Sequence, residues 1–116
     1  MSAQIPRTVF ALLLGISLAM FLTPGDGVPQ GGPDDKLTHL LIFTSLAVAG
    51  RWAQAPPVAL GIGLAAYAVV TEVLQAVLPI DRNGDPRDLL ADATGILLGL
   101  FLSWVAVRVG RARGAA

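Results

Sequence analysis

The chain has 116 residues, room for one domain; 54% are apolar, 14% are charged, and eight Lys and Arg balance eight Asp and Glu. That composition is too apolar for an ordinary soluble domain, too hydrophobic and neutral for disorder, and short of the positive charge and aromatics of a nucleic-acid binder. The absence of cysteine excludes disulfides, thiolate zinc sites, iron–sulfur clusters and cysteine nucleophiles, and leaves an all-α integral membrane protein as the expected class.

Spans are expected as windows of about 20 apolar residues, enough to cross a hydrocarbon core of roughly 30 Å. The first, residues 5–23, opens near Pro6 and stops at Thr23-Pro24-Gly25. Arg7 followed by an apolar run also resembles a signal peptide, but no small-x-small cleavage site follows Leu22, so the segment is read as a retained span. Residues 24–35, rich in Gly, Pro and Asp, read as an exposed loop. The second span, 37–51, is short and relies on Trp52 as an interfacial anchor, on local thinning or on burial against its neighbours. Residues 53–57 form a tight turn, and the third span covers 58–78, interrupted only by Glu72. In the connection 81–87, Asn83-Gly84 signals a turn and Asp85-Pro86 a helix start. The fourth span covers 89–107, interrupted by Asp92, and an Arg/Gly/Ala tail follows.

Together these form one domain, a four-helix transmembrane bundle. Arg7, Arg51, Arg108, Arg111 and Arg113 fall on one side, against Lys36, Arg82 and Arg87 on the other. Because cytoplasmic loops are enriched in Lys and Arg, both termini are expected in the cytoplasm. All eight acids lie in or beside the first and third connections, so the charged face is expected to be extracytoplasmic.

Ionisable groups inside spans cost about 2.5–3.5 kcal/mol each at a helix centre on insertion scales, so each asks for a partner or a role. By helical rise, His39, Asp92 and Glu72 lie at similar depth in the outer half, about 5, 6 and 9 Å from their helix ends. Asp35 and His39, and Asp88 and Asp92, are four apart; Lys36 and His39, and Glu72 and Gln75, are three apart. Each pair therefore shares a helix face. On the fourth span the stripe continues through Gly95, Gly99 and Ser103, a small-residue face expected to pack on the third span and shelter Glu72. On the third it runs through Ala65, Ala68, Glu72, Gln75 and Ala76.

These residues carry a resemblance to a known family. Asp35-Lys36-Leu37-Thr38-His39, then Glu72-Val73-Leu74-Gln75 with Pro79 and Arg82, then Asp88 through Gly95 with Gly99, resemble the VanZ-like membrane proteins, named for an accessory protein of teicoplanin resistance. The resemblance covers residues 35–99 and implies a functional cluster of Asp35, Lys36, His39, Glu72, Gln75, Arg82 and Asp88. Asp92 stands where the family often has Asn, and one extra residue separates Pro79 from Arg82. Either Arg82 or Arg87 can therefore take the family arginine's place.

Two functions fit the residues. In the first, the outer pocket, including Asp92 and Arg87, binds an anionic lipid, a lipid-linked precursor or a lipoglycopeptide-like amphiphile at the cell membrane. In the second, a small membrane enzyme acts on a lipid-linked phosphate or ester, with His39 as acid or base, Glu72 orienting it, and Lys36 and Arg82 stabilising negative charge. No nucleophile motif or cofactor loop is present, so binding ranks above catalysis and no cofactor is expected. With one histidine and no metal-ligand motif, no metal is expected either. Lys36, Arg82 and Arg87 point to an anionic, phosphate-like group as the ligand. The glycine faces leave pairing between chains open.

Overall fold

The computed structural model describes residues 2–25 and 32–114 as four helices: α1 Gln4–Phe21, α2 Pro33–Trp52, α3 Pro57–Val77 and α4 Pro86–Gly114. Three of them, α1, α3 and α4, are long and apolar enough to cross a membrane. The 21 residues of α3 make a rod of about 32 Å at 1.5 Å per residue, close to the thickness of a hydrocarbon core. At 29 residues, α4 runs past the expected end at 107 and carries the Arg/Gly/Ala tail to Gly114 as helix. Near the end of its apolar stretch Trp104 stacks on Phe101, and the Arg108 guanidinium lies 4.9 Å over the indole, where an interfacial anchor is expected.

The second helix starts earlier than its apolar run. Pro33 occupies the first helical position and Asp34 and Asp35 the first turn, where proline's missing N–H costs nothing and carboxylates meet the free backbone donors. Residues 33–35 are thus helix and not the end of an exposed loop, while residues 26–31 of that loop lie outside the described residues. Burial explains how α2 combines charges with full length. It touches all three other helices, lying most closely along α4, whereas α1 and α3 scarcely meet. Phe43, Leu46 and Ala47 of α2 are fully buried and form the core with Phe21, Leu60, Leu64, Ala68 and Ile96.

Gly95 and Gly99 set the α2–α4 seam. A Cβ on Gly95 would lie 2.5 Å from the Leu40 carbonyl oxygen, and one on Gly99 2.5 Å from the Ala47 Cβ and 2.6 Å from the Thr44 carbonyl oxygen. The small-residue face of α4 therefore packs on α2 and not, as expected, on α3. Helical phase defines the face but not which neighbour it meets. On α3 the buried stripe is Leu60, Leu64, Ala68, Thr71, Glu72 and Gln75, whereas Ala65 and Ala76 are exposed.

The turn between α2 and α3 is tight. Gln54 takes a left-handed φ of 70°, the Ala55 amide donates to the Gly50 carbonyl, and the Arg51 guanidinium donates to the Ala55 carbonyl at 2.6 Å. After α3 the chain bends at 78–81, with Asp81 at φ 55°, and no hydrogen-bonded turn forms at Asn83-Gly84. Gly84 serves close approach instead, since a Cβ there would lie 2.6 Å from the Ala76 Cβ. This contact holds the connection against α3 and brings Asp85 over Glu72. Asp85 then starts α4 as the sequence implies, its carboxylate accepting the Arg87 amide at 2.9 Å.

Candidate functional site

Where α2 and α4 begin and α3 ends, the ionisable side chains meet. Asp35, Lys36 and His39 share one face of α2, and Asp85, Asp88 and Asp92 rise along the start of α4. Lys36 Nζ donates to Asp85 Oδ2 at 2.8 Å and to Asp88 Oδ1, and lies 3.6 Å from Asp35. Lys36, followed by the amide and guanidinium of Arg87, holds the Asp85 carboxyl well below the usual carboxylate range. Deeper in, His39 Nδ1 is 2.7 Å from Asp92 Oδ1, and its Nε2 faces Asp88 Oδ2 at 3.5 Å and Asp35 Oδ1 at 4.0 Å. The imidazole stacks on Phe21 of α1, with centroids 4.9 Å apart.

From α3, Glu72 Oε2 accepts the Asp85 backbone amide at 2.8 Å, and Gln75 donates through Nε2 to the Phe21 carbonyl at 3.0 Å. Gln75 therefore secures the end of α1, and through it the ring that covers His39. The convergence of His39, Glu72, Gln75 and Asp88 agrees with the sequence expectation. One role differs: the group that orients His39 is Asp92, not Glu72, because Glu72 is engaged by the loop ahead of α4. When the proton of the His39–Asp92 pair rests on Nδ1, Nε2 holds a free lone pair.

Two carboxylate oxygens in this cluster, Glu72 Oε1 and Asp92 Oδ2, are buried without a hydrogen-bond partner among the described residues. Leaving such an atom unpaired costs about 1–3 kcal/mol, and more if it is charged. His39, Glu72 and Asp92 each bring a ligand atom within 4.8 Å of the other two, as do Asp35, His39 and Asp88. The sequence offered no metal motif because these donors come from three separate helices.

The three fixed cations do not act together. Lys36 is committed to acids, and Arg87, with a side chain 73% exposed, pairs with Asp85 on the outside. Arg82 reaches across to the Thr23 carbonyl and lines a cleft of about 240 Å³ with Met20, Phe21, Asp34, Asp35, Thr38, His39 and Ile42. Of the two candidate arginines, Arg82 is the one at the cleft. The expected cationic rim is correspondingly reduced to one arginine opposite two aspartates. A larger groove at the far end, about 480 Å³ between α2 and α4, holds Arg51 but none of this cluster.

A further pair escaped the sequence reading. Ser17 Oγ of α1 and the Tyr67 hydroxyl of α3 are 2.6 Å apart, and both also bond the Leu14 carbonyl. The signal was a serine and the chain's one tyrosine within apolar runs.

The profile of the VanZ/LLP1 family matches residues 7–107, nearly the whole bundle. The chain belongs to the VanZ/LLP1 family. Comparisons with curated proteins and with solved structures gave no match. Within this VanZ/LLP1 chain the motif residues read from the sequence gather at one end of the fold, and Asp92 is the residue in direct contact with the histidine.

Proposed function

We propose that this VanZ/LLP1 chain is a four-span membrane protein with both termini in the cytoplasm. In this reading its extracytoplasmic cleft takes up the head group of an amphiphile, a lipid, lipid-linked envelope precursor or lipoglycopeptide, in keeping with a role in teicoplanin resistance. The observation that carries this is the composition of the cleft. Met20, Phe21 and Ile42 form an apolar wall beside the bundle surface, and Arg82, Asp34, Asp35 and His39 lie at its polar end. An amphiphile satisfies both at once: its chain lies along the apolar wall, its acidic group meets Arg82, and its amino or hydroxyl donors meet the aspartates. The test is mass spectrometry of lipids retained by the purified protein. Wild type and Arg87→Gln should retain the same acidic amphiphile, and Arg82→Gln several-fold less. Equal retention by Arg82→Gln would remove the cleft as the site.

A second reading, hydrolysis of a lipid-linked phosphate or ester, is favoured by the 2.7 Å His39–Asp92 contact, which would hold the ring with Nε2 as base. Purified protein should then turn over such a substrate and His39→Gln should not; absence of turnover by wild type would exclude it.

A further inference from the structure

Beneath the cleft, where α2, α3 and α4 converge, three buried side chains face one another with two oxygens left over. His39 is 2% exposed, Glu72 6% and Asp92 0%. Each carboxylate is anchored through one oxygen, Glu72 by the Asp85 amide and Asp92 by His39. The second oxygen of each has no hydrogen-bond partner among the described residues.

We propose that His39, Glu72 and Asp92 bind a divalent transition-metal ion. Ligand atoms sharing such an ion at about 2.0–2.2 Å stand roughly 3.0–3.5 Å apart in tetrahedral or octahedral geometry. The ligand atoms here already lie within 4.8 Å of one another, so rotamer adjustments close the site without moving a helix. One imidazole nitrogen with carboxylate oxygens suits the borderline Zn²⁺, or the harder Mn²⁺, whose affinity for such mixed sites exceeds that of all-oxygen-seeking Ca²⁺. The ion takes the place of the proton between His39 and Asp92 and gives the two spare oxygens a partner. The neighbouring trio of Asp35, His39 and Asp88 is the poorer site, because Lys36 already neutralises Asp88 and lies beside Asp35. The inference is independent of what the cleft receives, although an ion beneath His39 lies within reach of a bound head group.

His39 is the chain's one histidine, which makes the site spectroscopically identifiable. Full-length protein with a histidine-free tag, stripped with chelator and titrated with Mn²⁺ alone, should take up one equivalent per chain by loss of the free-ion electron paramagnetic resonance signal. Pulsed spectra of the bound ion should show ¹⁴N coupling from one imidazole. Asp92→Asn should weaken binding at least tenfold. Absence of binding at millimolar Mn²⁺, or an ion bound without ¹⁴N coupling, as on lipid phosphate, would overturn the proposal. So would wild-type affinity in Asp92→Asn. Should that variant fail to fold, the wild-type coupling decides alone.

Discussion

Replacing Gly95 by alanine adds one methyl group at the closest point of the α2–α4 seam. Its Cβ would stand 2.5 Å from the Leu40 carbonyl oxygen and 3.1 Å from the Thr44 amide nitrogen, both backbone atoms that cannot rotate away. Restoring an ordinary contact of 3.4 Å requires the helices to part by about 0.9 Å. Overpacking of this kind costs about 1–3 kcal/mol. Alanine also gains about 1 kcal/mol of helix propensity over glycine, so the comparison needs a variant with the same gain and no clash. Gly63→Ala supplies it, because nothing lies within 4 Å of its added Cβ. The difference between the variants should be about 1–3 kcal/mol, roughly 5- to 150-fold in the ratio of folded to unfolded protein. Denaturant-induced unfolding in mixed micelles, followed by circular dichroism, measures it. Equal midpoints and slopes for the two variants would refute the close approach of α4 to α2.

Topology is tested by Asn83→Cys and Ala55→Cys, introduced singly. An impermeant thiol reagent should label the first and spare the second in intact cells, and the reverse pattern would invert the bundle. At Asp85 the sign follows from the lowered pKa: its ion pair with Lys36 contributes fully above the ordinary carboxylate value near pH 4. That contribution is lost as acidification approaches the lowered value. Thermal unfolding in detergent should therefore show a destabilisation below about pH 4 that Asp85→Asn reduces.

Much of the site was readable because its spacings are local. Asp35 with His39 and Asp88 with Asp92 follow from helical phase, and the common depth of His39, Glu72 and Asp92 follows from counting residues from the helix ends. Partner choice was not readable. Gly95 was expected against α3 and lies against α2, and Glu72 was expected to orient His39 and instead accepts a backbone amide, because both depend on the order of helices around the bundle. The apolar run of α2 is short because charged residues occupy its first turn, and that helix is the one that touches all three others. Arg82 and Arg87 were equivalent in sequence and are separated only by the bend at 78–81, which turns one toward the cleft and leaves the other in solvent.

The α4 partners of α2 arrive late. Lys36 waits for residues 49 and 52 positions downstream, and His39 for one 53 positions downstream. During synthesis, at about 5–20 residues per second, α2 therefore exists for several seconds before those carboxylates are made. In that interval Lys36 and His39 lack their α4 carboxylates and have only Asp35 of the same helix and Phe21 of α1 beside them, and a segment so charged is a poor substrate for insertion on its own. On the four-span reading proposed above, α2 enters the bilayer late, drawn in as α4 emerges, and the interior of the bundle is sealed only when the last helix is complete. A ribosome stalled before residue 92 should thus hold a nascent chain whose second segment is still accessible from the water.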